Sequence, residues 1–134
     1  MGRKNSILLG LFFLIIANVG IGTLYYLPDD QPILFICLMI IVRCLQGYGD
    51  SLTITTCFSL ILQTFSTQKD IYVGYAEAAV GIGLTFGPAM GSLIYSYFGY
   101  EMVFYSFGMV SFIVLFICAL CIPSSVNEVI QYED

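Results

Sequence analysis

The stretch Gly81-Ile-Gly-Leu-Thr-Phe-Gly-Pro-Ala-Met-Gly-Ser92 lies inside a long apolar run. Gly83, Gly87 and Gly91 recur every four residues, so on an α-helix they form one stripe along which a second helix backbone can approach closely. In water this stretch would argue against a helix, since glycine costs about 1 kcal/mol and Pro88 about 3 kcal/mol relative to alanine. Membrane helices carry both residues more often, so the stretch predicts a helix in a membrane.

The composition points the same way. Of the 134 residues, 59% are hydrophobic and only 10% are charged, whereas a soluble domain carries about 25% charged residues. Four apolar segments are each long enough to cross a hydrocarbon core of about 30 Å, which takes roughly 20 helical residues. Because backbone groups in lipid must be satisfied internally, and no alternating strand pattern occurs, all four are expected to be helices.

The sequence therefore predicts an all-α membrane protein with four transmembrane helices. We place these helices at about residues 7–27, 33–58, 72–97 and 102–122, within one membrane domain over 1–122, and a tail over 123–134. The loops after the first and third helices are short, which predicts that each of these helices forms an antiparallel hairpin with the next.

The positions of the cations predict the topology. Arg3 and Lys4 directly precede the first apolar segment, and Lys69 lies in the loop between the second and third segments, whereas the acidic loop over 28–32 has no cation. Cytoplasmic loops carry an excess of lysine and arginine, so we expect an integral multi-pass protein whose N- and C-termini are both cytoplasmic. The pattern does not distinguish the plasma membrane from an organelle membrane.

Several functions are excluded by what the sequence lacks. It has no histidine, and no nucleophile, base and oxyanion-stabilising group can be assembled from the spacing, so we expect no enzyme activity, no catalytic residues, no metal and no cofactor. The five cysteines all lie in apolar segments and give neither a disulfide framework nor an exposed zinc-ligand cluster. Nucleic acid is excluded as a partner because there are only four cations, Arg3, Lys4, Arg43 and Lys69.

The second segment carries polar residues on one helical face. Arg43, Gln46, Gly47 and Asp50 follow the i, i+3, i+4, i+7 pattern, and Arg43 lies about ten residues into the segment, near mid-depth. A charge at that depth costs about 2.5 to 3.5 kcal/mol, so it should face protein or a water-filled cavity. Either this face lines a path for substrate and protons, with Asp50 as a proton carrier, or the two charges only bond to neighbouring helices and fix their packing.

Glu77 raises the same question in the third segment. It lies about five residues in from the proposed inner boundary, roughly 8 Å deep. It is either a buried acid that takes part in coupling or a group in the headgroup zone that titrates in water.

The glycine stripe also has two interpretations. Its small residues are typical of ordinary close helix packing. Pro88 removes a backbone donor and crowds the carbonyl of Leu84, which can kink the helix and suit it to a moving interface.

Together these residues resemble the major facilitator superfamily of secondary transporters. Arg43-Cys-Leu-Gln-Gly-Tyr-Gly49 resembles the fourth-helix motif R-x-x-Q-G-x-G, and Gly83 to Ser92 resembles the fifth-helix antiporter motif G-x-x-x-G-P-x-x-G-G, with Ser92 in place of the last glycine. Gly2-Arg3-Lys4 is similar to the end of the family's loop motif G-x-x-x-D-R-x-G-R-K. The three matches fall in the family's order and at suitable spacing.

The resemblance implies that the four segments are the third to sixth of the family's twelve helices, a partial bundle. In such transporters the fourth helix lines the central cavity and the fifth contacts the opposite half. Arg43 would then face substrate or protons, and Gly83, Gly87, Pro88, Gly91 and Ser92 would serve the rocking interface. The antiporter motif implies proton-coupled export or vesicular loading, as in drug or vesicular-amine transporters.

Two hypotheses about function follow. The first is alternating-access transport of a small molecule, coupled to protons, by a protein of which this chain is a part or a fragment, with membrane lipid, a small-molecule substrate and protons as partners. Four helices from one half cannot enclose a path between two halves, so we expect the other helices to come from a full-length transporter or another chain. The alternative is a stand-alone membrane interaction protein that uses the small-residue helix face for assembly.

Overall fold

The computed structural model describes residues 2–27, 32–65 and 67–122, and these residues form four α-helices with no strand among them. The helices are α1 (Arg3–Leu24), α2 (Pro32–Thr64), α3 (Lys69–Phe98) and α4 (Tyr100–Cys121). Each helix is long and apolar enough to cross a membrane, so the predicted all-α fold with four transmembrane helices is confirmed. The predicted tail over 123–134 and most of the acidic loop lie outside the described residues.

The two middle helices are longer than the apolar segments that predict them. α2 has 33 residues and α3 has 30, which corresponds to about 50 Å and about 45 Å of helix. Both lengths exceed a hydrocarbon core of about 30 Å, so each helix must tilt or extend beyond the core.

A single glycine separates α3 from α4. Gly99 has φ +90°, a conformation that residues with a Cβ rarely adopt, and its N–H donates to the carbonyl of Tyr95 at 3.1 Å. α4 begins at the next residue, Tyr100. The predicted turn between the third and fourth helices is therefore only one residue long.

α1 is the centre of the bundle, and α2 and α4 pack against it. Its buried apolar residues recur at helical spacing, which is the pattern of a core-facing helix. They are Ile7, Leu11, Ala17, Ile21 and Leu24. Asn18 is the one buried polar side chain on the described part of this core, and its amide donates to the carbonyl of Leu14 at 2.9 Å.

α4 runs antiparallel to α1 and contacts it at both ends. At the start of α1 the Lys4 ammonium donates to the carbonyl of Ala119 at 2.9 Å. At the other end the rings of Tyr25 and Tyr100 are stacked with their centroids 6.1 Å apart. At that end the charge of Glu101 raises the pKa of Tyr26 above its usual value.

α3 lies at the edge of the bundle and has no buried residue. Its Tyr72 ring stacks on that of Phe65, the residue that follows α2, with the centroids 4.0 Å apart, and the helix contacts α4 around Gly91. α1 and α2 pack extensively, as the short loop between them predicts, whereas α4 packs mainly against α1 and only slightly against α3. The helix that carries the glycine stripe is thus the least covered of the four.

Candidate functional site

Arg43 contacts two side chains, one on its own helix and one on α4. Its guanidinium donates to the Gln46 amide oxygen at 2.9 Å, and its Cζ lies 5.7 Å from the centroid of the Phe104 ring. The spacing i, i+3 places Gln46 on the same face, as the sequence predicts. Arg43 is exposed and Gln46 is half-buried, so the guanidinium lies at the surface of these four helices.

Arg43 lies closer to one end of the bundle than counting along the sequence indicates. The adjacent Val42 contacts the backbone position of Gly20, four residues before α1 ends, and Phe104 lies four residues after α4 begins. Four residues correspond to about 6 Å of helix, whereas about 15 Å of α2 precedes Val42. Arg43 therefore lies about one turn from the level at which α1 stops, and its mid-depth position in the membrane stays a prediction.

Asp50 is exposed on α2, next to the buried Gly49. The separation of seven positions between Arg43 and Asp50 corresponds to about 10 Å along the helix axis, too far for the two charges to bond directly. Gly49 faces α1, so Asp50, one residue later and about 100° around the helix, points away from that contact.

Glu77 is exposed on α3 and lies towards the opposite end of the bundle from Arg43. It comes eight residues after α3 begins, about 12 Å along the axis, while the junction between α3 and α4 that adjoins Phe104 is about 30 Å further on. The structure thus separates Arg43 and Glu77, and any coupling between them would have to act over that distance.

The glycine stripe on α3 is only partly covered. A Cβ added at Gly83 or at Gly87 would meet no heavy atom within 4 Å, whereas one at Gly91 would lie 3.8 Å from both Val103 and Phe107 of α4. The stripe therefore touches α4 at one end and is open over the rest of its length. The large apolar side chains beside it are also exposed, among them Leu84 at 73% and Phe86 at 63%.

Two other residues of the predicted antiporter motif, Pro88 and Ser92, also lie on α3. α3 continues through Pro88 without a break, and the Ser92 hydroxyl donates to the carbonyl of Ala89 at 3.0 Å. Such back-bonding satisfies a small polar side chain within its own helix. Ser92 therefore needs no partner on a neighbouring helix, which suits a small-residue surface.

The closest helix contact involves Gly10 of α1, a residue that the sequence pattern does not single out. Gly10 of α1 meets Gly49 of α2 so closely that a Cβ at either position would lie 2.8 Å from the carbonyl oxygen of the other. Tyr105 of α4 covers Gly22 of α1 in the same way, with ring carbon Cε1 2.8 Å from an added Cβ. Glycines inside an apolar segment were the available signal for these contacts, but spacing alone could not show which of them face a neighbour.

No metal site is visible among the described residues, where no group of three or more His, Cys, Asp or Glu side chains could hold an ion. One open cavity of about 180 Å³ lies at the turn between α2 and α3, far from Arg43. It is lined by Thr64, Phe65, Thr67, Gln68 and Tyr72. The polar face of α2 is exposed at Arg43, Gly47 and Asp50 and so faces the surroundings of the four described helices.

The sequence matches a family model described as Major Facilitator Superfamily over residues 1–129. It is 28% identical to the MFS-type transporter SLC18B1 of Mus musculus over 128 residues, which cover 96% of this chain and 28% of the mouse protein. It is 26% identical over 129 residues to the multidrug resistance protein Stp of Mycobacterium tuberculosis, covering 95% of this chain and 22% of that protein. No solved structure matches the chain significantly.

The matched region is a minor part of each relative. The chain spans 28% of the length of the mouse protein and 24% of that of the human protein of the same name, to which it is 28% identical over 110 residues. The match therefore does not assign to this chain what those proteins do as wholes.

Proposed function

The chain belongs to the Major Facilitator Superfamily, and from this membership we propose that it forms part of a transporter that moves a small molecule across a membrane by alternating access, in antiport with protons. The observation that carries the proposal is the exposed Arg43 on a membrane-spanning helix. A charged side chain within a membrane-spanning helix is rare and usually faces the interior of a helix assembly or a water-filled cavity. A water-filled path between helices provides such surroundings, and a transporter has one.

The polar face of α2 supplies the groups for that path. Arg43, held by Gln46, presents a fixed positive charge for a substrate or for a proton-carrying acid. Asp50 lies on the same helix, exposed and about 10 Å away, and can carry a proton between the two sides of the membrane. Glu77, on α3 towards the other end, is a second acid for coupling.

The open part of the α3 stripe supplies a contact for further helices. Close approach of two helix backbones in a membrane needs small residues, and Gly83 and Gly87 have nothing within 4 Å. We assign this face, with Pro88, Gly91 and Ser92, to a contact that shifts during alternating access. The covering helices come from the same transporter or from another chain, with the two termini of this chain cytoplasmic.

Uptake driven by a proton gradient tests transport and its coupling together. Membrane vesicles from cells that produce the protein natively, loaded with acid and diluted into neutral buffer, should take up at least one compound from a panel of small organic cations and anions. Dissipating the gradient with a protonophore should remove the uptake. Liposomes that contain only the purified four-helix chain are the control and should show no uptake, because four helices do not enclose a path.

Two results would contradict the proposal. Uptake that persists after the gradient has been dissipated would exclude proton antiport. Robust uptake by the four-helix chain alone would show that the path does not need further helices.

A stand-alone interaction protein is the second candidate, and the uncovered positions of Gly83 and Gly87 favour it. In this case the same α3 face binds a partner chain or a second copy without substrate flux. Both candidates require the face to be a contact, and only the first requires uptake, so the vesicle experiment separates them.

Gly87→Leu tests whether the α3 face is a contact at all. Because nothing lies within 4 Å of this position, the free energy of unfolding of the isolated chain should change little. Association with the covering helices should weaken at least about tenfold, since a leucine there holds the two backbones apart. The measurement is co-purification from crosslinked native membranes, quantified against the unmodified chain.

Gly74→Leu is the matched control for Gly87→Leu. Gly74 is also on α3 with nothing within 4 Å, but the separation of thirteen positions places it about 140° around the helix from Gly87. Equal association of the Gly87→Leu variant and the unmodified chain would contradict the assignment of this face.

A further inference from the structure

Arg43 and Phe104 connect two helices whose backbones do not pack on each other. In the described residues α2 and α4 each contact α1, but they form no direct contact between their backbones. The guanidinium of Arg43 nevertheless reaches α4, with its Cζ 5.7 Å from the centroid of the Phe104 ring. This distance is within the range of about 6 Å over which a cation is attracted to the face of an aromatic ring.

The ring of Phe104 is itself held in place by other rings. Its centroid lies 4.9 Å from that of Tyr100 in a tilted arrangement, and Tyr100 is stacked on Tyr25 at the end of α1. Aromatic pairs at these separations attract one another beyond their apolar burial. The three rings thus form a support that runs from α1 through α4 to Arg43.

Without contacts to hold it, the side chain of an arginine near the end of a membrane helix would extend towards water. Arg43 lies about one turn inside the end of the bundle, and long cationic side chains near helix ends extend to the membrane surface. Two contacts oppose that movement, the hydrogen bond to Gln46 on α2 and the face of Phe104 on α4.

We propose that Phe104 is a positioning residue for Arg43, whose ring holds the guanidinium beside α4 and keeps it from extending to the membrane surface. The ring of Phe104 has no lone-pair acceptor and so takes up none of the five guanidinium N–H donors, and the hydrogen bond to Gln46 occupies only one of them. The other donors can then bind a carboxylate, phosphate or carbonyl oxygen of a substrate. Only this last consequence rests on the proposed function.

Graded fluorination of Phe104 tests the proposal without changing the shape of the ring. The full chain, in lipid nanodiscs and labelled with ¹⁵N-arginine, has only two arginines, Arg3 and Arg43, so each guanidinium gives its own signal. Phe104 is replaced by 4-fluoro-, 3,5-difluoro- and 3,4,5-trifluorophenylalanine, which successively weaken the negative face of the ring. The measured quantity is the rate at which the Arg43 Nε–H exchanges with water.

We expect the exchange rate to rise in the order of fluorination, by about three- to tenfold for the trifluoro ring. Phe104→Leu should raise the rate at least as much, and Phe104→Trp should keep it low because tryptophan has the most attractive face. Arg3 is the internal control, and trifluorination of Phe112, an exposed ring on the same helix, is the matched control. Neither control should show a change in exchange.

An exchange rate that does not respond to fluorination would overturn the proposal. A response to Phe104→Leu alone would also overturn it, because Phe104 would then act as a steric wall and not through its ring face. Circular dichroism of each variant shows whether the helices are retained, and the fluorinated series keeps the test valid if the leucine variant unfolds. The experiment involves no transport, so its failure and the failure of the proposed function are distinguishable.

Discussion

Gly49→Ala is expected to lower the free energy of unfolding of this chain by about 2 to 3 kcal/mol, the upper range for a single overpacking change. The added Cβ would lie 2.8 Å from the carbonyl oxygen of Gly10 and 3.2 Å from the backbone nitrogen of Leu14. Both are backbone atoms, which cannot rotate away as the end of a side chain can. α1 and α2 must therefore separate where they cross, and α1 is the helix on which the bundle is built.

Gly47→Ala is the matched control for this prediction. Gly47 lies two residues earlier on the same helix, and nothing is within 4 Å of its Cβ position. Its substitution should leave stability unchanged or raise it by up to about 1 kcal/mol, since alanine favours a helix over glycine. The measurement is equilibrium unfolding in mixed micelles, followed by circular dichroism.

Equal stability of the two variants would contradict the close crossing of α1 and α2. Comparison of the Gly49→Ala and Gly47→Ala variants also distinguishes the roles of two glycines of the R-x-x-Q-G-x-G motif. Gly49 faces α1 and is needed for packing, whereas Gly47 is exposed on the face that carries Arg43. In the motif the two glycines have different physical roles, which a sequence pattern alone does not distinguish.

The fold class could be predicted because it depends on local properties of the chain. Four long apolar segments and the requirement for internal hydrogen bonding in lipid leave helices as the solution. The ends of α2 and α3 could not be predicted as well, because helical hydrogen bonds continue past the apolar segments into polar sequence such as Gln63 and Lys69.

The arrangement of the helices was less accessible to prediction. All four segments are strongly apolar, so composition did not indicate that α1 is central and α3 peripheral. That order depends on which glycines meet a neighbour, as Gly10 does and Gly83 does not. These are long-range contacts, and a periodic stripe in the sequence indicates only that close packing is possible.

The candidate site also combines a feature that the sequence predicts with features that it does not. The shared face of Arg43 and Gln46 follows from helical periodicity, and the structure places a hydrogen bond there. The level of Arg43 and its contact with Phe104 depend on how α2 and α4 lie along α1. No spacing within one helix contains that information.

The second large expected effect is the loss of uptake when Arg43 is replaced. Arg43→Ala should reduce proton-driven uptake at least about tenfold, because the charge that we propose to bind substrate or the proton-carrying acid is lost. Folding should be retained, since Arg43 is exposed and its removal creates no cavity in the core around α1. Arg3→Ala is the matched control, an arginine at the start of α1 that the proposal places outside the path.

The placement of Arg43 in a transport path is tested most sharply by uptake in vesicles that contain the native helix assembly with either variant, at equal protein amounts and with an acid interior. We expect uptake to be lost with Arg43→Ala and kept with Arg3→Ala, while both proteins show the same helix content and the same unfolding midpoint. Normal uptake by the Arg43→Ala variant would contradict the placement of Arg43 in a transport path and would leave α2 with a packing role only.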